Sequence, residues 1–406
     1  MSNKPSSSNL PIIIIGVLFF IFGFVTWVNG TLIAFFKKAF GLDNSSSYLV
    51  TFAFFISYTV MAIPSAEILK RTGFKRGMSL GLGIMAVGTF IFVPAARMVS
   101  YPLFLVGLFT IGLGLTLLQT ASNPYVTILG PRESAATRIS FMGIANKFAG
   151  ILGQWIFGGL LLAGSAATLT TEQELAKVEM PYLILTGILV ALAVGISRMK
   201  DLPEVSEEQD DQPKTATSRD RIFAFPNLIL GVIALFLYVG AEVIAGDTLI
   251  NYGKSIGYTE DAAKLFGTYT LVAMLVGYVL GIVLIPKYVS QQRWLGVSAI
   301  IGVLLSVAVV LTSGFNSVLC VALLGFANAI MWPAIWPLAI DGLGKFTKIG
   351  SALLIMAIAG GALLPLVYGA LADITSIGST YAYLILVPCY LFIYYYSVRG
   401  YKIKQW

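Results

Sequence analysis

Polar side chains interrupt the apolar stretches of this chain at a few places, and those places carry its candidate chemistry. Gln119 and Asn123 are four residues apart, which places them about 40° apart around a helix axis. An amide both donates and accepts hydrogen bonds, so this pair could bind a polar solute from one side of a cavity. The competing interpretation is that both amides hydrogen-bond to neighbouring helices.

A second group combines amides with charged side chains. Asn146 and Lys147 are followed by Gln154, seven residues after Lys147 and therefore on its face of a helix. Glu242 and Asp247 lie in another apolar stretch, interleaved with glycines. Because a charge inside a membrane is costly unless it is paired or solvated, we expect one acid to pair with Lys147 and the other to bind a cation or a proton. The alternative is a static ion pair that fixes helix packing.

A third group places an amide beside aromatic rings. Asn328, Trp332 and Trp336 follow one another at four-residue steps, with Pro333 and Pro337 beside them. Hydroxyls of a sugar need donor and acceptor partners, and its flat C–H faces lie well against aromatic rings. Ordinary packing or an interfacial tryptophan belt is the alternative. The predicted substrate-binding residues are Gln119, Asn123, Asn146, Gln154, Asn328, Trp332 and Trp336.

The composition around these residues is that of a membrane protein. Of the 406 residues, 57% are hydrophobic and 11% are charged, and the mean hydropathy is +0.87, whereas soluble chains carry about 25% charged residues. Histidine is absent, and Cys320 and Cys389 lie in apolar stretches, so we expect no disulfide framework, metal site or cofactor. The net charge of +7 comes from short loops, so it indicates topology and not a nucleic-acid partner.

Twelve apolar stretches are long enough to cross about 30 Å of hydrocarbon. Six of them are predicted near residues 10–36, 48–68, 77–96, 102–129, 137–163 and 180–198. The other six are predicted near residues 226–252, 263–286, 295–312, 317–341, 349–372 and 379–398. The sequence therefore predicts an all-α membrane protein with twelve transmembrane helices.

The placement of lysine and arginine predicts the orientation of these spans. With a cytoplasmic N-terminus, nineteen of these residues fall in cytoplasmic segments and six in outer loops, while Lys147 lies within a span. Both termini are therefore expected in the cytoplasm. The charged stretch 200–221 is typical of a flexible linker. We expect a bundle at 1–199, a cytoplasmic linker at 200–225 and a second bundle at 226–406, in a monomer of the inner membrane.

The two halves also resemble each other in sequence. TLIAFFKKAFG at 31–41 recurs as TLINYGKSIG at 248–257, and FMGIANKFAG at 141–150 has an echo in IMAIAGGALL at 355–364. Six spans in each copy mean that both copies enter the membrane in the same direction, as in parallel repeats. Substrate in such folds binds near the midplane, between the two six-helix bundles.

Long motifs in both halves resemble the fucose–galactose–glucose symporter family of the major facilitator superfamily. They are WVNGTLI in the first span, LLQTASNPYVTILGP in the fourth, MGIANKFAGILG in the fifth, GAEVIAGDTLINYGK in the seventh and GFANAIMWPAIWPLAIDGLGKFTKIGSALLIM in the tenth and eleventh. The resemblance covers nearly the whole chain and is greatest to the glucose/galactose transporters. It implies the major facilitator fold and transport of a hexose by alternating access.

The resemblance also implies site residues, and there the sequence departs from the family. In the L-fucose permease branch, a first-span Asp and a fourth-span Glu serve proton coupling and sugar binding. The matching positions here are Gly30 and Gln119, so both carboxylates are missing. The sugar-binding Asn in the fifth span of that branch matches Asn146. The resemblance thus supports sugar binding and leaves the usual proton-coupling chemistry without its groups.

The loop between the second and third spans matches the superfamily signature in part. It keeps the glycine and the basic residues but has Lys70 where an Asp is usual. We take Arg71 and Arg76 in this loop as candidate gating residues, together with Asp341 at the cytoplasmic end of the tenth span.

Coupling to Na⁺ or H⁺ must then use other groups. Asp247 precedes Thr248, the counterpart of Thr31, so it stands in the repeat where Gly30 stands in the first half. We therefore predict Asp247, Glu242 and Lys147 as the coupling residues, and the sequence leaves open which acid pairs with Lys147. The alternatives are an uncoupled sugar facilitator and a carrier of amino sugars or other small polar solutes. A membrane enzyme is not expected, since no catalytic motif is present.

Overall fold

The computed structural model describes residues 10–128, 135–162, 169–199, 222–285 and 287–405, with the backbone alone at 10, 11, 123–128, 135–140, 345 and 348. All regular secondary structure in these residues is helical. Ten of the described helices are long and apolar enough to cross a membrane. One of them, Leu49–Arg97, contains two spans, and the helix Ala135–Phe157 supplies a further one. The prediction of twelve membrane-spanning helices is confirmed.

The first six spans occupy the chain up to Arg198. The first is broken into Leu10–Trp27 and Asn29–Phe40, and a short helix, Asn44–Ser47, precedes the second. The second and third share the helix Leu49–Arg97. The fourth is Tyr101–Ile128, the fifth is Ala135–Phe157 with the π-helical turn Gly158–Leu162, and the sixth is Glu179–Arg198, preceded by Thr171–Ala176.

The last six spans follow a 3₁₀ turn at Ile222–Ala224. The seventh comprises Pro226–Asp247 and Leu249–Ser255, and the short helix Glu260–Ala263 leads into the eighth, Phe266–Leu284. The ninth is Gln291–Leu311, and the tenth comprises Gly314–Asn328 and Met331–Ile340. The eleventh comprises Thr347–Met356, Ala357–Ala359 and Gly360–Asp373, and the twelfth comprises Gly378–Ala382, Tyr383–Ile385 and Leu386–Val398.

The connection between the second and third spans differs from the predicted loop at 69–76. Helical geometry continues through it except at Gly73, where φ is 75° and ψ is 167°. A side chain is strained at such a positive φ, whereas glycine adopts it readily. The link is therefore a single-residue kink with basic residues on both sides.

Several spans are interrupted within their length, and these interruptions position the site. The first span breaks at Val28 and the seventh at Thr248, within three residues of equivalent places in the repeat. The tenth breaks between Asn328 and Met331. Pro333 has no N–H to donate to the carbonyl of Ala329, which explains a break at that turn. Broken helices expose backbone polar groups where a polar ligand can use them.

The two halves pack together along two pairs of spans. The second span meets the eleventh, where Thr59 Oγ1 donates to the Met356 carbonyl at 3.3 Å. The fifth meets the eighth, where a Cβ on Gly143 would lie 3.2 Å from the Tyr278 ring. The first and seventh spans lie between these contacts and touch each other. The predicted midplane site is therefore lined by repeat-related helices.

Candidate functional site

Trp27, at the break of the first span, is the side chain around which the predicted site residues are arranged. Its ring lies against both halves: a Cβ on Gly150 would come within 2.6 Å of its Cδ1, and one on Gly246 within 2.4 Å of its Cζ3. Only 4% of Trp27 is exposed. Sequence reasoning missed this residue, and the paired glycines on the fifth and seventh spans are the only signal that a large ring had to fit there.

Two predicted sugar-binding amides contact Trp27. Trp27 Nε1 donates to Asn146 Oδ1 at 3.2 Å, and Asn146 Nδ2 donates to the Phe19 carbonyl at 3.4 Å. Gln154 Nε2 donates to the Trp27 carbonyl at 3.2 Å, and Thr268 Oγ1 donates to Gln154 Oε1 at 3.3 Å. Gln154 is fully buried and joins the fifth span to the eighth. Asn146 is only half-buried, so its amide is accessible for hydrogen bonds to a ligand.

Lys147 pairs with Glu242, which answers the question that the sequence left open. Lys147 Nζ lies 3.1 Å from Glu242 Oε1, and the two side chains are 8% and 12% exposed. The ammonium also lies 4.2 Å from the centroid of the Trp27 ring, a cation–π distance. The pair links the fifth span to the seventh, so it bridges the two halves in the interior of the protein.

Asp247 occupies a different position and faces the first span. It is 2% exposed, and its Oδ1 has no hydrogen-bond partner in the described part of the chain. The backbone N–H of Gly30 is directed at this carboxyl, and both Lys147 and Glu242 lie within electrostatic range of it. With both acids ionised, this group of three charges carries one uncompensated negative charge.

Other unpaired polar atoms belong to residues that neighbour Gly30 or Asp247 in the sequence. Among the described residues, Asn29 Nδ2, Thr31 Oγ1 and Asn251 Nδ2 are buried without a hydrogen-bond partner. The counterpart of Thr31 differs, since Thr248 Oγ1 donates to the Ile244 carbonyl at 2.6 Å and contacts the Tyr383 hydroxyl at 2.7 Å. Buried polar groups are normally paired, so each of these unpaired atoms is a candidate for contact with a polar ligand.

The fourth span contributes less to the described geometry. Gln119 is half-buried and interacts with the Tyr58 hydroxyl of the second span. The side chain of Asn123 lies outside the described residues.

The tenth span does not keep its three predicted residues together. Trp332 and Trp336 are half-buried and stack on each other, with centroids 5.3 Å apart and an interplanar angle of 28°. Asn328 lies on the other side of the helix break and is fully buried, and its Oδ1 accepts a hydrogen bond from the Tyr390 hydroxyl at 2.9 Å. The tryptophan pair thus offers aromatic surface, while Asn328 contacts the twelfth span.

The predicted gating residues lie on exposed surface. Arg71 pairs with Glu67 at 2.8 Å within one helix, and Arg76 is exposed. Asp341 is exposed and pairs with Lys404 at 2.7 Å, and its carbonyl accepts a hydrogen bond from Asn227 Nδ2 at 3.0 Å. Both ion pairs stay within one half of the molecule.

Comparisons with known proteins place the chain among transporters. The Major Facilitator Superfamily model matches residues 15–365. The glucose/galactose transporter of Brucella abortus biovar 1 (strain 9-941) is 36% identical over 390 residues, which cover 95% of this chain and 93% of that protein. The L-fucose-proton symporter of Escherichia coli (strain K12) is 30% identical over 383 residues, which cover 90% of this chain and 87% of that protein.

A solved structure shows the same arrangement of helices. The crystal structure of the transporter FucP in the outward conformation matches with a TM-score of 0.72 and 28% sequence identity, and the match covers 96% of this chain and 98% of that one. The fold predicted from the repeat, two six-helix bundles in parallel orientation, is confirmed.

Proposed function

Because the chain belongs to the Major Facilitator Superfamily, in the group of the glucose/galactose transporters and L-fucose-proton symporters, we propose that it carries a hexose across a membrane by alternating access. The observation that supports this best is the meeting of Asn146, Gln154 and Trp27 at the interface between the halves. Amides beside a large aromatic ring suit the hydroxyls and the C–H faces of a sugar. The stacked pair Trp332 and Trp336 offers further aromatic surface, and Gln119 and Asn123 are additional candidate ligands.

Transport is proposed to be coupled to a cation, Na⁺ or H⁺. Lys147 and Glu242 neutralise each other, which leaves Asp247 as an unbalanced carboxylate in the interior. An unpaired charge there is costly, so a bound proton or metal cation stabilises the site. The unpaired Oδ1 of Asp247 is the group that such a cation would reach.

The proposal includes the topology and the gating residues. Both termini face the cytoplasm, and the protein lies in the inner membrane. It acts as a monomeric transporter and not as an enzyme. Residues 200–225 then form the cytoplasmic linker between bundles at 1–199 and 226–406. Arg71, Arg76 and Asp341 would lie at the cytoplasmic entrance, where they would pair differently when the halves close there.

Reconstitution into proteoliposomes tests the transport proposal. Uptake and counterflow are measured with glucose, galactose, mannose and amino sugars, with and without imposed Na⁺ or H⁺ gradients. We expect counterflow of at least one hexose and accumulation under one of the two gradients. A protein that equilibrates hexose but ignores both gradients is a facilitator, and one that moves no sugar in the panel contradicts the substrate class.

The substitution Asp247→Asn tests the coupling residue. It keeps the size of the side chain and removes its charge, so it should abolish gradient-driven accumulation and leave sugar counterflow measurable. Accumulation equal to that of the wild-type protein would show that the cation is bound elsewhere.

A further inference from the structure

Gly30 and Asp247 are equivalent positions of the internal repeat, and they touch each other across the interface between the halves. A Cβ built on Gly30 would lie 3.0 Å from Asp247 Cα and 3.2 Å from Asp247 Oδ1. In a parallel repeat, equivalent residues that touch must lie at the pseudo-two-fold axis. The two positions therefore face one shared volume from opposite sides.

This volume has room for one carboxylate. A side chain on residue 30 would begin within contact distance of the Asp247 carboxyl, so two acids there would be pressed together. Like charges at that separation disfavour each other's ionised forms strongly. Because Gly30 has no side chain, the carboxyl of Asp247 can lie against the backbone of the first span. Its Oδ1 has no hydrogen-bond partner in the described structure.

Both helices carry buried polar residues next to these two positions in the sequence. Asn29 and Thr31 flank Gly30 on the first span, and Asn251 lies four residues beyond Asp247 on the seventh. Each carries a buried polar atom without a hydrogen-bond partner in the described structure. Both helices therefore carry unpaired polar atoms within four residues of these two positions.

We infer that positions 30 and 247 form a single carboxylate site. Coupling requires one acid in total, on either the first or the seventh span, and the glycine at position 30 leaves that acid to the second half. The inference rests on the proposed role of Asp247 in cation coupling. Gly30 therefore determines which half carries the coupling carboxylate, although it has no side chain of its own.

Moving the acid from one half to the other tests the inference. The variants G30D, D247G, G30D/D247G and G30N/D247G are reconstituted, and gradient-driven accumulation is measured beside counterflow. D247G should lower the ratio of internal to external sugar to unity, and G30D/D247G should restore a ratio above unity. G30N/D247G is the matched control, since Asn has the shape of Asp without its charge, and it should stay at unity.

A thermal-unfolding cycle gives a second readout that does not depend on transport. G30D alone should lower the unfolding temperature, and D247G should restore the part of that loss that comes from the opposing carboxylate. The close approach to the Cα of residue 247 remains in both variants. Additive effects of the two substitutions, or a G30D/D247G protein that performs counterflow but does not accumulate sugar, would overturn the shared site. Failure of the coupling proposal itself looks different, because the wild type would then ignore both gradients or D247N would still accumulate sugar.

Discussion

Two of the regions in which the halves of the protein meet differ in burial and in the pairing of their polar groups. In the interior of the protein, the contact is the buried pair Lys147–Glu242, and Asp247, whose Oδ1 lacks a partner in the described structure, lies nearby. At the end predicted to face outside, Asp373 of the eleventh span accepts hydrogen bonds from the backbone N–H groups of Asn44 and Ser45 at 2.9 and 2.8 Å. The side chains of Asn44 and Ser45 donate to the same carboxylate at 2.8 and 2.5 Å.

The outer contact also includes an ion pair between the halves. Lys38 of the first span lies 2.9 Å from Glu260, which precedes the eighth span. At the predicted cytoplasmic end, the described ion pairs of Arg71 and Asp341 stay within one half. Asp373 and Lys38 thus hold the predicted outer ends of the two halves together. Outer contacts are exposed and can be exchanged for water, whereas breaking the buried pair leaves a charge without solvent.

The largest expected effect comes from the buried pair. Glu242→Gln strands the Lys147 ammonium in the interior, so it should lower the free energy of unfolding by about 3–5 kcal/mol and abolish transport. Thermal unfolding of the purified protein, followed by size-exclusion chromatography, measures the loss of stability.

A surface pair provides the control for this substitution. Arg97 and Glu179 lie 3.0 Å apart within the first half, and Arg97 is 68% exposed. Glu179→Gln should therefore leave stability nearly unchanged. If Glu242→Gln is no more damaging than Glu179→Gln, the buried pair does not hold the halves as described.

Sugar binding at the same interface gives the next largest effect. Asn146→Ala and Gln119→Ala should each weaken sugar binding by about 1–3 kcal/mol, because hydroxyl partners would be left unsatisfied in a buried site. Ser79→Ala is the control: it removes a 2.7 Å hydrogen bond to the Ala193 carbonyl within the first half. Titration calorimetry with the purified proteins measures the affinities, and wild-type affinity in both amide variants would contradict the site.

The sequence predicted the spans and the repeat well because apolar length and charge placement are local properties. It left the partner of Lys147 open, since the choice between Glu242 and Asp247 depends on how two distant helices face each other. It missed Trp27 because a tryptophan in an apolar span looks like ordinary packing. Four-residue spacing also assumed a continuous tenth span, and the break after Asn328 separates that amide from Trp332.

The next prediction concerns the stacked tryptophans of the tenth span, which lie within the second half. Trp332→Ala or Trp336→Ala should reduce the rate of transport more than the Phe substitution at the same position, because Phe retains a ring face worth about 0.5–1.5 kcal/mol. Trp155 is 56% exposed and serves as a control whose replacement by Ala should leave transport unchanged. Initial uptake rates distinguish these cases, and equal losses from Ala and Phe would indicate packing or indole hydrogen bonding.

The smallest effect is expected at the outer contact. Asp373→Asn keeps the shape of the side chain but removes the charge that four donors share, and at an exposed site this should cost about 1 kcal/mol. That cost falls on the outwardly closed state alone, so it should shift the population toward the outward-open state by about fivefold. Global stability should hardly change, because the freed donors become hydrated.

Distances between spin labels at Met98 and Leu311, in a chain with both cysteines replaced by serine, report this shift. Both positions are exposed, and they lie at the predicted outer ends of the third and ninth spans, in different halves. The matched control is Asp261→Asn, because Asp261 is an exposed acid that pairs with Lys264 at 2.7 Å within its own half. Asp373→Asn should lengthen the label distance and Asp261→Asn should not. Equal distances in both variants would mean that Asp373 does not stabilise the closed outer end.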